Sequence, residues 1–520
     1  MINITGFKGE IDQDEKVLEE HARDASVFKV MPSAILYPKD VADIIAVVNM
    51  VSEEKKTNPD ASLSVRAGGS CMDGGSLNTG YILNLTRHMT KVEIDPEGMT
   101  ATVEMGAYFR DIKSEAQKHG LMFAPYTSSH LICGIGGMIG NNASGEKSIR
   151  YGATIDNVIS LEVVLADGTV LRTGPEQISL LKENDSDESL KALYELYEQY
   201  GAKLKESIGN VPKTASGYRL ERVVSGEVID AMPIFIGAQG TLGIVTKAVI
   251  KLVPVPAFTR LLVISIDSIH DMPFILQTII KHHPEGVETF DINTYERAKI
   301  KMPEDTDIIK NFFHPTTSSI ILAQFSESTQ EETDVQAKAC IEELSSHKIT
   351  LEYIEDQKIA DAVWRVRRVG YSVMRDYNEP GFKAVPCIED IIAPIEHFDI
   401  FIEGLVEIIK KHSIKYGFHG HIGDGALRII PVFDFRDPNV ADKIISFTRD
   451  VFLLVKKVKG NMSADHSDGI IRSPFLKEFY GEELYEVFVK IKKLYDPEGI
   501  FNPHKKVGGT EALIHKWLDR

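Results

Sequence analysis

The apolar positions of the first two hundred residues change period several times. "YPKDVADIIAVVNMVSEEKK" places Asp40 as an N-cap ahead of apolar residues at helical spacing, and "ASLSVRAGG" follows as a strand running into a glycine turn. This predicts a strand-helix-strand beginning. "YILNL" and "TATVEMGA" predict further strands, "FRDIKSEAQKHG" a helix stopped at Gly120, and "LMFAP" another strand. "VISLEVVLADGTVLRTG" reads as a hairpin with an Asp-Gly turn, followed by an acidic helix around Glu188 to Ser207. "GTLGIVTKAVIKLVP" closes this unit near Val255.

From Pro256 the pattern changes. "RLLVISID", a helix around Ile269 to His282, "GVETFDI", "SSIILAQF", the helix "DVQAKACIEELSSH" and "ITLEYIED" alternate as β-α-β-β-α-β, the plan of a ferredoxin-like layer. Then "IIAPIEHFDIFIEGLVEIIKKHSIKYG" predicts a helix ending at Gly417, and Ala441 to Val458 predicts another apolar helix.

A chain of 520 residues exceeds what one hydrophobic core usually serves, so more than one structural unit is expected. The net charge of -18 argues against a nucleic-acid partner, because phosphate binding needs surplus Lys and Arg. No run of 18 apolar residues occurs, and "MINITGFKGEIDQDEK" lacks the apolar core of a signal peptide. A cytoplasmic location without a transmembrane segment is expected, with peripheral membrane contact left open. Cys71, Cys133, Cys340 and Cys387 are too scattered for a metal cluster or a disulfide framework, so redox chemistry would need a bound cofactor.

Two glycine-rich regions are candidates to hold one. The first is "VRAGGSCMDGG", Val65 to Gly75, and the second is "CGIGGMIGNNASGEKSIRYG", Cys133 to Gly152. Glycines allow the positive φ angles and close approach that aim main-chain N-H groups at a diphosphate. The second fails both standard nucleotide motifs. Ile139 stands where GxGxxG needs its last glycine, and Glu146 stands where a P-loop needs lysine.

"RAGGSCMDGG", "PYTSSHLICGIGGMIGNNASG" with "RYG" after it, "LEVVLADGTVLRTG" and "GAQGTLGIVT" resemble, in order and spacing, the FAD-binding domain of the vanillyl-alcohol oxidase and cresol methylhydroxylase type. The resemblance implies FAD contacts at Arg66, Gly68, Gly69, Ser70 and Gly75, then at Ser129, Gly137, Asn141, Asn142, Ser144 and Gly145, then at Gly243 and Ile244. Relatives that attach FAD covalently do so through a histidine where this chain has Ser70, so a non-covalent flavin is expected. Cys71 reads as structural, and Gln239, where many relatives carry glutamate, reads as tolerated variation. The implied fold class is α+β: a two-subdomain FAD-binding domain, a ferredoxin-like substrate or cap domain, and a C-terminal helical segment. The expected bounds are an N-terminal segment at 1–27, the FAD-binding domain at 28–255, the cap domain at 256–458, and a segment at 459–520 that returns to the flavin site.

"WRVRR", "GHIGDG", "ADHSDG" and "DPEGIFNPHK" are similar to the FAD-linked D-2-hydroxy-acid dehydrogenases, the branch of D-lactate, D-2-hydroxyglutarate and glycolate dehydrogenases. Oxidising an α-hydroxy acid requires a base for the hydroxyl proton, a hydride acceptor, and cations for the carboxylate and developing alkoxide. His466, in "SADHSDG", is the candidate base. Arg367 matches the family's carboxylate-binding arginine, because a guanidinium can grip a carboxylate with two hydrogen bonds, and Lys383 matches a lysine near the substrate.

Relatives commonly read His-x-Gly-Asp-Gly-Asn-x-His, and those histidines with a glutamate hold a divalent metal. Here "HIGDGALR" keeps His421, but Arg428 stands at the second histidine and Asp465 at the glutamate. Arginine cannot ligate a metal. Two readings follow. His419, His421 and Asp465 could form a zinc or manganese site, if both histidines share one strand face. Alternatively, Arg428 supplies the positive charge and binds the substrate, which is the preferred reading.

The expected function is FAD-dependent oxidation of a small D-2-hydroxy acid. Electrons would leave to a quinone, a cytochrome, another flavoprotein or O₂. The alternatives are an alkylglycerone-phosphate synthase, or a flavin-binding subunit that only carries electrons.

Overall fold

The computed structural model describes residues 2, 4–182, 187–345, 349–376 and 379–520. Strands Ala34–Tyr37 and Leu63–Arg66 both pair in parallel with Tyr81–Asn84, and Glu10–Asp12 adds an antiparallel edge. The crossover helix Val41–Lys55 starts where expected. Asp40 accepts the Asp43 N-H, and Ile44, Val47, Val48 and Val51 are buried.

A second, five-stranded antiparallel sheet runs in the order Val92–Asp95, Thr100–Glu104, Ile244–Lys251, Val158–Val164, Val170–Arg172. Its last pair is the expected Asp-Gly hairpin, with Gly168 at φ +80° in the turn.

The second unit holds an eight-stranded sheet. Its first four strands, Thr350–Ile354, Phe258–Ile266, Ser319–Glu327 and Gly286–Asp291, lie side by side in that order. In chain order this is 4-1-3-2, with helices Met272–Ile280 and Gln330–Ser345 as the crossovers, so the expected strands and crossover helices are present, but two further helices, Ile292–Lys301 and Pro303–Ile308, stand between the second and third strands. The last residues of the expected second helix, Ser346 and His347, lie outside the described residues. The sheet continues through Lys415–Gly420 and Ala426–Asp434 to Phe382–Ala384.

One expected element is corrected. The helix predicted to end at Gly417 spans Phe398–His412 and stops at Ser413, which adopts a left-handed conformation at φ +53°. The chain then turns into the strand Lys415–Gly420, whose residues from Gly417 onward are buried and paired with Ala426–Asp434. Sheet burial outweighs the continued helical pattern there.

One clamp between the two units is the segment Ser144 to Arg150. Lys147 pairs with Glu285 at 2.8 Å, Arg150 with Glu327 at 2.6 Å, Ser148 bonds Asp424, and Glu146 takes both forks of Arg368 at 2.8 Å. The tail returns to the first unit: Asn502 N-H bonds Leu63 O at 2.8 Å, and Leu518 bridges Phe28.

Candidate active site

A cavity of about 400 Å³ is lined by both glycine-rich loops, together with Val65 and Val245 from the two sheets of the first unit. Among the residues expected at the flavin, Gly68, Gly69, Ser70, Gly75, Ser129, Gly137, Asn141, Ser144 and Gly243 line it. Arg66, Asn142, Gly145 and Ile244 do not. Arg66 tucks under Gly69, where an added Cβ would lie 2.3 Å from its Nη2. The Asn142 side chain is buried between Thr214 O and the Ile155 N-H, at 3.0 and 2.9 Å. Gly145 packs on Tyr126 O, which would lie 1.8 Å from an added Cβ, and Ile244 sits in the sheet core.

The donor set fits a diphosphate-bearing cofactor. Gly69 sits at φ +65°, and the N-H groups of Gly68, Gly69 and Ser70 have no partner among the described residues. Buried or half-buried N-H groups need acceptors, and phosphate oxygens supply them. At Gly137 an added Cβ meets nothing nearer than Ala67 Cβ at 4.0 Å, so the backbone there leaves room in the cavity itself.

The C-terminal segment braces these loops. Asn502 Nδ2 donates to Gly75 O and Gln239 O, both at 2.7 Å, and Lys505 Nζ donates to Leu77 O at 2.6 Å. Three non-glycine residues within five, Asn502, His504 and Lys506, have positive φ, a strain held by these buried bonds. Gln239 acquires a specific role. Its Nε2 donates to Asp73 Oδ2 at 2.8 Å and its Oε1 accepts the Gly469 N-H at 2.9 Å. Glutamate could accept the second bond but, ionised, would face the buried Asp73 carboxylate with no proton to donate.

At one end of the cavity stand Arg368, Tyr371, Arg375, His419, Arg428, Asp465 and His466. His466 Nδ1 lies 2.8 Å from both oxygens of Glu389, which is fully buried and also bound by Arg472 Nη2 at 2.5 Å. A carboxylate can only accept, so Nδ1 carries the proton and Nε2 keeps its lone pair at the cavity. Burial pulls the His466 pKa down, but the Glu389 charge outweighs it, and the net result lies above the usual 6.5. The backbone is fixed too: Asp390 Oδ2 accepts the N-H groups of Asp465 and His466 at 2.9 and 2.7 Å. Burial and the nearby Asp465 push the Asp390 carboxyl up to about 8.

Arg428 occupies the centre of the expected metal position. Its Nη2 is 2.9 and 2.8 Å from the two oxygens of Asp465 and 2.9 Å from His421 Nε2. His421 Nδ1 lies 2.5 Å from Glu288, so its other nitrogen accepts from the guanidinium. Burial first, then Arg428, hold the His421 pKa well below 6.5, consistent with a neutral ring. Burial opposes the Asp465 charge, but Arg428 and Lys213 prevail and hold its pKa well below 3.8.

The remaining predicted residues lie elsewhere. Arg367 and Arg368 are adjacent on the helix Gln357–Arg368 and so point about 100° apart. Arg368 faces the cavity, whereas Arg367 is 1% exposed and paired with Glu288 in the interior, outside the cavity lining. Lys383 is also outside it, donating to Asp519 O at 2.6 Å. Glu389, Asp390 and Glu288 escaped sequence reasoning although a signal existed: acidic residues inside the apolar runs "VPCIEDIIAP" and "GVETFDI" require buried partners.

Residues 32–174 match the family described as FAD binding domain, and residues 255–506 match FAD linked oxidases, C-terminal domain. The chain belongs to the FAD-linked oxidases, with an FAD-binding domain ahead of their C-terminal domain. Within that class it is 27% identical over 526 residues to D-2-hydroxyglutarate dehydrogenase of Escherichia coli (strain K12), an alignment covering 96% of this chain and 50% of that protein. It thus spans about half the length of the D-2-hydroxyglutarate dehydrogenases it matches. It is 26% identical to glycolate oxidase subunit GlcD of Bacillus subtilis (strain 168), covering 92% of this chain and 89% of that one.

Among solved structures, 4-ethylphenol oxidase from Gulosibacter chungangensis superposes with a TM-score of 0.70 at 18% identity, over 97% and 95% of the two chains. Alkyldihydroxyacetonephosphate synthase does so at 0.64 and 16%, over 95% and 82%. At such identities the likeness is one of fold alone, so it lends no support to the synthase alternative.

Proposed function

We propose that the chain is an FAD-dependent oxidoreductase that converts a D-2-hydroxy acid to the 2-oxo acid. The observation that carries this reading is the pairing, at one end of the cavity, of a histidine whose Nε2 lone pair faces the cavity and a buried guanidinium 3.4 Å from it. Bound FAD, without a covalent link at Ser70, supplies the hydride acceptor for the hydrogen on C2. His466 Nε2 takes the hydroxyl proton, and Glu389 stabilises the imidazolium that forms. Arg428 and Arg368 draw the anionic substrate to this end, in place of Arg367 and Lys383, whose side chains are engaged in the interior and at the tail. The site residues exclude water by packing: Asp465, Arg428 and His419 are all buried.

The reduced flavin must pass its electrons to an acceptor, a quinone, a cytochrome, another flavoprotein or O₂. A relative named as a subunit of glycolate oxidase supports delivery within a larger assembly. None of the described helices is long and apolar enough to cross a membrane. The four cysteines are unpaired, which agrees with a reducing, cytoplasmic setting.

The test is anaerobic mixing of the FAD-loaded protein with D-lactate, D-2-hydroxyglutarate and glycolate. Bleaching of the flavin band by at least one D-acid, and not by its L-isomer, is expected. A protein that holds no flavin, or flavin that none of these acids reduces, would refute the proposal.

A further inference from the structure

The resemblance to the D-2-hydroxy-acid dehydrogenases implies a divalent metal between the first histidine and the carboxylate of this site, and the residues here do not fit one. His421 Nε2 and Asp465 Oδ2 are 3.7 Å apart, a separation that an ion bound at about 2.0–2.2 Å from each could span. The position between them is filled by Arg428 Nη2, within 2.9 Å of His421 Nε2 and of both Asp465 oxygens. A metal there would overlap a nitrogen that has no lone pair to offer and stays positively charged. Asp465 is also within 3.9 Å of Lys213 and accepts from Ser144 at 2.9 Å, so its charge is already answered by two cations and a hydroxyl. His421 is turned the same way, since Glu288 takes its Nδ1 and its remaining lone pair is spent on the guanidinium.

We propose that Arg428 is a built-in cation that makes this active site independent of divalent metal, and that its Nη1, beside His466, binds the substrate acid. Only Nη2 is committed to Asp465 and His421. Among the described residues Nη1 meets His466 Nε2 alone, at 3.4 Å, while Nε is buried on the edge it shares with Nη2 and has no hydrogen-bond partner. Nη1 carries two N-H groups, and one of them can donate to a carboxylate oxygen or to the 2-hydroxyl oxygen of an acid in the cavity. An acid held by Nη1 lies beside the nitrogen that takes the hydroxyl proton. A metal would instead chelate these oxygens and act as a Lewis acid; the guanidinium orients them and offers charge only.

The substrate half of this inference rests on the proposed oxidation, but the metal half does not. The FAD-loaded protein is passed through EDTA and gel filtration, and zinc and manganese are counted against FAD by mass spectrometry. The expected result is well under one ion per FAD, with the rate of flavin reduction by a D-2-hydroxy acid unchanged by EDTA. Arg428→His, which returns a third ligand beside His421 and Asp465, is expected to keep its FAD and to take up one zinc ion per chain. One EDTA-removable ion per FAD in the parent protein, or an FAD-loaded Arg428→His that takes up none, would overturn the assignment. If no acid reduces the flavin, the oxidation proposal fails while the ion counts still decide this one.

Discussion

Glu389→Gln isolates the electrostatic part of the site, because glutamine keeps the shape and one acceptor oxygen but loses the charge. In the native protein Glu389 holds His466 Nδ1 through both oxygens at 2.8 Å, with no exposure to solvent. A hydrogen bond to a charged group contributes roughly 1.5–3 kcal/mol, which at about 1.4 kcal/mol per decade corresponds to a loss of roughly ten- to 150-fold in flavin reduction. The pH profile gives the sharper readout. His466 must be neutral to accept a proton, so the rate rises with pH through its pKa, and because that pKa is raised the native acid limb lies above 6.5. Removing the negative partner lowers the pKa, so the limb of the variant moves to lower pH while its plateau falls. Stopped-flow reduction between pH 5 and about 9, normalised to FAD content, reads both effects. The FAD normalisation matters because Arg472 also loses its Glu389 partner, leaving Asp73 at 3.9 Å. A variant with full flavin, an unmoved limb and an unchanged plateau would remove Glu389 and His466 from the proton transfer.

His466→Ala should retain FAD and slow its reduction by about 10²–10⁴-fold, the usual contribution of a general base; undiminished bleaching in stopped flow would place the base elsewhere. Arg367→Met breaks a buried ion pair with Glu288 and should cost about 3–5 kcal/mol in a denaturant titration with KM unchanged, whereas Arg368→Gln, which also gives up its two bonds to Glu146, should raise KM. The opposite pattern would return Arg367 to the carboxylate-binding role. Gly137→Val should fill the space beside Ala67 and lower the ratio of flavin to protein absorbance without unfolding the chain, and full flavin occupancy would contradict the cavity assignment. Asn502→Ala leaves Gly75 O and Gln239 O unanswered and should destabilise the flavin loops by about 1–3 kcal/mol, seen as a lower melting temperature; an unchanged one would make the tail a bystander.

Local pattern was enough where the physics is local. The cap at Asp40, the Asp-Gly hairpin and the strand-helix alternation of the second unit are set by neighbours within a few residues, whereas the 4-1-3-2 order pairs strands far apart in the chain, Phe258–Ile266 with Thr350–Ile354. The helix expected to reach Gly417 overran for the converse reason: its last residues are claimed by pairing with Ala426–Asp434, a contact made after the turn and invisible to helical periodicity. The flavin loops were legible as motifs, but which members face the cavity was not. Asn142 and Gly145 lie within the motif and serve packing, while Gln239 proves to join Asp73 to the segment that carries His466.

The order of residues alone thus suffices for the class of fold, the flavin loops and the candidacy of His466, since these depend on spacing and on residue chemistry. It also reveals that an arginine stands where a ligand was expected. Where the guanidinium of that arginine lies was decided only by folding, which brings Glu288, Glu389, His421, Arg428 and Asp465 together from four separate stretches of chain. The same holds for Arg367 and Arg368. One residue apart in sequence and alike in charge, they differ because a helix turns about 100° between them, sending one side chain to Glu288 in the core and the other to the cavity.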